Sequence, residues 1–256
     1  ANFSRNMQTL SKNKISHIAS LQQKKYRTEY HEFLVEGTKS VEDFLRSGFE
    51  PSIVVIAQEE LLSIFDVKEE IVFLAAEKER QKISALSTAP QVIAVFKMPK
   101  QQQEENWKDM FSLVLDGVRD PGNLGTIIRT ADWFGIQHIF CSLDSVDCFN
   151  PKVVQATMGS LARVKIHYLD LSVLMKEALQ EKSFSIMGAY MEGENISDFK
   201  FAGKGFLVMG NESEGIRNEI ASYISQKISI PKVASSNAES LNVSAATAIL
   251  CHSLTR

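Results

Sequence analysis

The sequence predicts an α/β protein in two lobes. Two observations place the lobes. Short β-branched and aromatic runs alternate with helix-period segments through the 256 residues, and a polar, glutamine-rich stretch, Met98–Asn106, interrupts that alternation. A third observation concerns the second lobe alone. Three of its strand-to-helix junctions are crowded with amides and small residues, and open α/β sheets bind ligands at the carboxyl ends of their strands. The division is into 1–105, including the connector, and 106–256.

In the first lobe a helix is expected over 6–24, where Leu10, Ile15, Ile18 and Leu21 fall roughly on one face. Phe33–Val35 reads as a short strand before Glu36–Gly37, and the helix after it stops near Ser47–Gly48. Ile53–Ile56 and Ile71–Leu74 read as strands flanking a short helix. A helix near 76–86 then leads to the strand Val92–Phe96. In the second lobe the strand candidates are Phe111–Asp116, Ile139–Cys141, Val164–Tyr168, Phe184–Ala189, Gly205–Gly210 and Lys227–Ile230. Helices are expected over 123–135, 151–160, 171–181, 216–223 and 241–255. Such alternation implies a largely parallel sheet with helices on both faces.

Composition excludes several classes. At 44% hydrophobic and 23% charged, the chain can bury a core without staples. No apolar run approaches the ~18 residues of a membrane span, and no secretory signal is recognised, so a cytoplasmic protein without a membrane partner is expected. Cys141, Cys148 and Cys251 form no CxxC pair. Cys141 and Cys148 could reach each other, but buried free thiols in a reducing compartment are the expectation. His17, His31, His138, His167 and His252 are scattered, which argues against a metal. The net charge is −3, yet residues 1–30 hold Arg5, Lys12, Lys14, Lys24, Lys25 and Arg27 against Glu29 alone. Such a cluster can bind phosphates or can be a solvated helix face.

The first junction, Gly117–Gly125, runs from a strand through a turn-rich loop to a helix start at Asn123. Its glycines do not fit GxGxxG, and a Walker loop is absent, which disfavours dinucleotides and ATP. Arg129 follows beside Ile127 and Ile128, so it is expected on a mostly buried helix. There it either pairs with a carboxylate such as Asp132 or has a function. At the second junction, Gly210 permits close approach to the backbone before Asn211. Glu212 and Glu214 are either helix-start partners or functional. At the third, Ser240 reads as a helix N-cap, and Asn242 in the first turn is harder to explain by packing.

Together the segments resemble the signature motifs of the SpoU/TrmH family in the SPOUT superfamily of RNA methyltransferases. Asn123–Thr130 is similar to NxGxxxRT, Gly210–Gly215 to GxExxG, and Ile230–Pro231 with Ser240–Ser244 to IPM followed by SLNVS. Phe33–Gly37 and the following helix resemble the family's substrate-binding domain. Two departures stand out: Lys232 replaces the usual methionine, and the loop from Val233 to Glu239 is longer than in common relatives. The resemblance implies a C-terminal α/β domain with a deep trefoil knot (SPOUT-like) and a smaller N-terminal α/β substrate-binding domain. It also implies a homodimer and S-adenosyl-L-methionine held near Met209, Gly210, Asn211, Ile230, Leu241 and Asn242. The implied reaction is methyl transfer to a ribose 2′-hydroxyl of structured RNA, ribosomal RNA above transfer RNA. The catalytic candidates it implies are Arg129, Glu212, Asn242, Asn123 and Ser240. A non-catalytic RNA-binding protein of the same fold is the other reading. Within the expected dimer, the terminal helix with Leu250, Cys251 and Leu254 is the candidate interface.

Overall fold

The basic N-terminal segment folds as two helices, not one, and a buried arginine holds the break. The computed structural model describes residues 7–100 and 106–256. Arg5, the first residue of the helix expected from residue 6, and the centre of the polar connector lie outside the described residues. After β1 (Gln8–Thr9), Ser11 caps α1 (Lys12–Ser20) by accepting from the Lys14 amide at 3.2 Å. The chain then turns through Leu21–Gln23 and resumes as α2 (Lys24–Tyr30). The guanidinium of Arg27 is buried and donates to the carbonyls of Leu21 at 3.0 Å and Gln22 at 2.9 Å. Those carbonyls sit where a continuous helix would have paired them, so Arg27 replaces the lost helical bonds.

The rest of this unit is a mixed sheet. Its elements are β2 (Glu32–Glu36), α3 (Thr38–Arg46), β3 (Pro51–Ile56), β4 (Val72–Leu74), α4 (Glu77–Ile83) and β5 (Val92–Lys97). The strand order is β1-β4-β3-β5-β2, with β5 antiparallel to both neighbours and the other pairings parallel. The short helix expected between β3 and β4 is two 3-10 turns, Glu59–Ile64 and Glu69–Ile71. One sheet face packs Ile18, Leu21, Leu34, Ile53, Phe73 and Ile83. The alternate residues of the strands build an aromatic cluster, in which Phe33 meets Phe44 at 5.5 Å and Phe149 at 4.4 Å between ring centroids. Phe149 brings a segment of the later chain with it: Phe149–Ala162 groups with this unit, and its helix Pro151–Thr157 packs on β2. That helix stops at Met158, which takes φ 50°, short of the expected 160. Inside the unit Glu36 is buried, accepts from the Ser84 hydroxyl and the Ala85 amide, and has its carboxyl pKa raised by burial.

The second unit holds the remaining elements. They are β6 (Phe111–Asp116), α5 (Pro121–Trp133), β7 (His138–Ser142), β8 (Lys165–Leu169), α7 (Leu171–Ala178), β9 (Ser185–Asn195), β10 (Gly205–Gly210), α8 (Asn218–Ala221), β11 (Gln226–Ser229) and α9 (Val243–Leu254), the Pro151–Thr157 helix of the first unit being α6. Six parallel strands run in the order β11-β9-β10-β6-β7-β8. Val114, Phe140, Ile186, Phe206 and Val208 pack against Leu171, Leu174 and Met175 of α7 and Ile220 of α8. Leu113, Leu115, Leu207 and Met209 alternate with them and face the opposite layer, where α5 and α9 pack on each other and α9 meets β10. Among the described residues, no helix is long and apolar enough to cross a membrane.

Replacing Arg27 by methionine should cost about 2–4 kcal/mol, because it leaves a buried carbonyl and a partly buried one unpaired. Hydrogen exchange should show the loss in α1, α2 and β2, while protection of β6 and β10 holds. Uniform loss across both units would contradict this assignment.

Candidate active site

The site is built on the carboxyl ends of β6 and β10, the two central strands, where Gly210 pairs in register with Asp116. Asp116 is fully buried and fixes the turn that follows β10: its carboxylate accepts from the Arg217 amide at 2.8 Å and from the Arg217 Nε at 2.7 Å. This pairing raises the Arg217 pKa, first through the Asp116 hydrogen bond. Arg217 also reaches Asp144 at 3.2 Å, and Asp144 in turn binds Arg119 at 2.7 Å. Beside Arg119, assisted by the Ser142 hydroxyl, the Asp144 pKa falls to about 2.

The turn itself is closed by paired Asn211 and Gly215 backbones, with Asn211 N at 3.0 Å from Gly215 O. The Asn211 side chain donates to the Gly117 carbonyl at 2.7 Å, which joins this turn to the loop after β6. A Cβ on Gly210 would collide with the backbone of Gly215 and Ile216. The glycine is therefore required by its own turn, a reason additional to the ligand approach that the sequence suggested.

Three motif residues meet above this base. Asp120 caps α5 by accepting from the Asn123 amide at 2.8 Å, which sets Asn123 in the first turn. Asn242, not Ser240, caps α9: its Oδ1 accepts from the Ser244 amide at 2.9 Å and the Ala245 amide at 3.3 Å. With Oδ1 so committed, Asn242 Nδ2 points to Asn123 Oδ1 at 2.9 Å. That fixes the orientation of Asn123, whose Nδ2 donates to the Glu212 carboxylate. Asn242, Asn123 and Glu212 thus form one directed chain.

Glu212 also lines a cavity of about 460 Å³ formed by β9, the 209–215 turn, the 228–241 segment and α9. Met209, Gly210, Asn211, Ile230, Ser240 and Leu241 all line it; Asn242 does not, and is joined to its Glu212 through Asn123. The volume suits a drug-sized ligand. Lys232 lines it too and donates to the Ala238 carbonyl at 3.0 Å, closing the longer loop on itself. The apolar lining includes Ile228, Ile230 and Leu241, and only Glu212 and Lys232 among the lining residues are charged. With so few charged groups, such a slot is poorly suited to a polyphosphate.

Arg129 falls on the expected helix but is not buried in it. It is on the exposed face of α5 and makes no hydrogen bond or ion pair among the described residues. Asp132, its expected partner, instead holds Arg163 with Nη2 at 2.8 Å. A further correction concerns α9. Leu250, Cys251 and Leu254 are buried in this unit's own core and are not available to a partner, whereas Ile249 is exposed. All three cysteines are free and buried, and burial pushes the Cys251 thiol up to about 12. His138 and His167, far apart in sequence, meet at 3.0 Å across β7 and β8. No group of three or more potential metal ligands occurs among the described residues.

The SpoU rRNA Methylase family model matches residues 110–252, and the MRM3-like substrate binding domain model matches 12–94. The chain is 30% identical over 245 residues to the Bacillus subtilis 23S rRNA (guanosine(2553)-2′-O)-methyltransferase RlmP, covering 94% of this chain and 95% of that protein. A TrmH-family protein from Porphyromonas gingivalis superposes with a TM-score of 0.87 at 37% identity, over 96% of this chain and 98% of that one. The Sinorhizobium meliloti rRNA methyltransferase, solved with AdoMet bound, gives 0.83 at 28% identity, over 97% and 96%.

The depressed Asp144 carboxyl predicts an acid limb. Its folded-state value of about 2 lies below the ordinary 3.8, so its contribution is present above about pH 4 and is lost as pH falls toward 2. Asp144→Asn should lower the melting temperature at pH 6 and leave less to lose between pH 4 and pH 2. Parallel melting curves for both proteins down to pH 2 would refute the ion chain's role.

Proposed function

Because the chain belongs to the SpoU rRNA methylase family, we propose that it transfers a methyl group from S-adenosylmethionine to a ribose 2′-hydroxyl of ribosomal RNA. The observation that carries this reading is the Asn242–Asn123–Glu212 chain at the edge of the adenosine-sized cavity. Ribosomal RNA is favoured over transfer RNA because the RlmP likeness extends through the first unit. That unit, matched by a substrate-binding model, is assigned to hold the RNA. The three buried free thiols fit a reducing cytoplasm.

The cofactor supplies an electrophilic methyl on a sulfonium sulfur. Met209, Gly210, Ile230 and Leu241 would hold it, with Asn211 and Asn242 fixing the loops around them. The chain's remaining task is to align the 2′-oxygen and take up one proton. Glu212 is the carboxylate at this place, and its second oxygen is left without a partner among the described residues. It is assigned to orient the hydroxyl and draw on its proton, with Asn123 and Asn242 holding it in register. Ser240 is a lesser contact on the cavity wall.

A guanidinium is a permanent cation and a poor base, so Arg129 is assigned to the phosphate next to the reacting ribose. It is exposed one turn before Trp133, which is itself 84% exposed. Trp133 on α5 and Ile249 on α9 are exposed apolar side chains on two helices that pack on each other, and their surface is assigned to the homodimer. The trefoil knot belongs to the same reading. Its support is that β11 joins β9 at the sheet edge and the chain then returns as α9 to pack on α5.

S-adenosylmethionine should bind the protein without RNA in calorimetry, and an absence of binding would sink the reading. Arg129→Ala should cut methyl transfer by about 10²–10⁴ while leaving cofactor affinity and melting temperature unchanged, since the side chain is exposed and unpaired. Arg129→Lys should be nearly as poor, because it lacks the planar fork. Full turnover by Arg129→Ala would remove Arg129 from the mechanism.

A further inference from the structure

We propose that Tyr30, with Tyr26 and His17, forms a stacking platform in the first unit that takes unpaired nucleotides of the RNA substrate. The inference rests on the RNA reading above and specifies which form of RNA this unit grips. Tyr30 ends α2 and is 42% exposed. Tyr26, one turn earlier, lies nearly parallel to it at 14°, with ring centroids 6.1 Å apart. His17 of α1 approaches Tyr30 at 4.7 Å, and its Nε2 is fixed by Glu32 at 2.7 Å. The three rings are therefore held before any ligand arrives, and little ordering cost remains on binding. None of them belongs to the buried core of this unit, so the arrangement is not explained by core packing.

The charge around the rings selects a nucleic acid. Lys25 places its ammonium 5.4 Å from the Tyr26 ring centroid, and Lys12 and Lys24 are exposed nearby in the chain. Lys14 is partly engaged over Phe73 at 4.9 Å. The acids are Glu32, already paired with His17, and exposed Glu29 next to Tyr30. Glu29 repels phosphate at the Tyr30 end and so directs the backbone toward Lys24 and Lys25. Cations beside an exposed aromatic ring are what a single strand requires: a base on Tyr30, which Tyr26 and His17 hold in place, and phosphates for the lysines. A duplex keeps its base faces stacked inside and offers none to Tyr30.

The test measures binding of the full chain to a short single-stranded RNA, to the same strand annealed to its complement, and to the strand with abasic sites. Tyr30→Ala and Tyr30→Leu should each weaken the single strand by roughly tenfold, the loss of one stacked base. Both should leave the duplex and the abasic strand unchanged, and Tyr30→Phe should bind as the unaltered protein does. Lys24→Ala with Lys25→Ala should instead flatten the salt slope by about 0.7 per lost contact. Leucine keeps the bulk without the π face, so equal binding by Tyr30→Leu and the unaltered protein would overturn the proposal, as would equal losses on all three RNAs. If the unaltered protein bound none of these RNAs, the RNA reading itself would fall first.

Discussion

Asn242 has one side-chain oxygen, and the start of α9 takes it. Two amides of the first turn point at that oxygen, and leaving them unpaired would cost about 1 kcal/mol of helix stability. Once Oδ1 is committed, the amide nitrogen must face outward, where it meets Asn123. Asn123 then has only its nitrogen left to offer Glu212. A helix cap therefore sets the direction of every hydrogen bond up to the carboxylate. The orientation of the site follows from a structural necessity of the last helix.

Beneath this chain lies a second one made of charges. Asp116 is buried at the end of β6, where an unpaired carboxylate would be expensive, and Arg217 meets it with both backbone and side chain. That pairing pins the residues just after the 211–215 turn, and Asn211 pins its start to Gly117. Glu212 is exposed, yet its backbone is held from both sides. The ends of two neighbouring parallel strands thus supply a rigid base, and the amide chain aims a single side chain from it.

Much of this was legible in the sequence for a physical reason. Alternating elements and three junctions rich in amides can be read locally, and the structure brings Asn123, Glu212 and Asn242 together at strand ends as their order implied. What could not be read depends on tertiary partners. The break between α1 and α2 is set by Arg27 reaching back to Leu21 and Gln22 from a site no periodicity marks. Phe149 carries its segment into the first unit by joining an aromatic cluster whose other rings precede residue 100. Ile127 and Ile128 suggested a mostly buried helix with Arg129 inside it, but α5 keeps one face open, with Arg129 and Trp133 on it. The sequence marked Gly210 for close backbone approach but could not show that the returning turn at Gly215 is itself one such approach.

The central claim is that the cap on α9 orients Glu212 through Asn123. Asn242→Asp tests it most directly. Aspartate caps a helix as well as asparagine does, but it has no N–H to give Asn123. The account predicts a melting temperature and cofactor affinity close to those of the unaltered protein, with methyl transfer reduced by about a hundredfold or more. Unreduced methyl transfer by a well-folded Asn242→Asp protein would show that the amide chain does not govern the site.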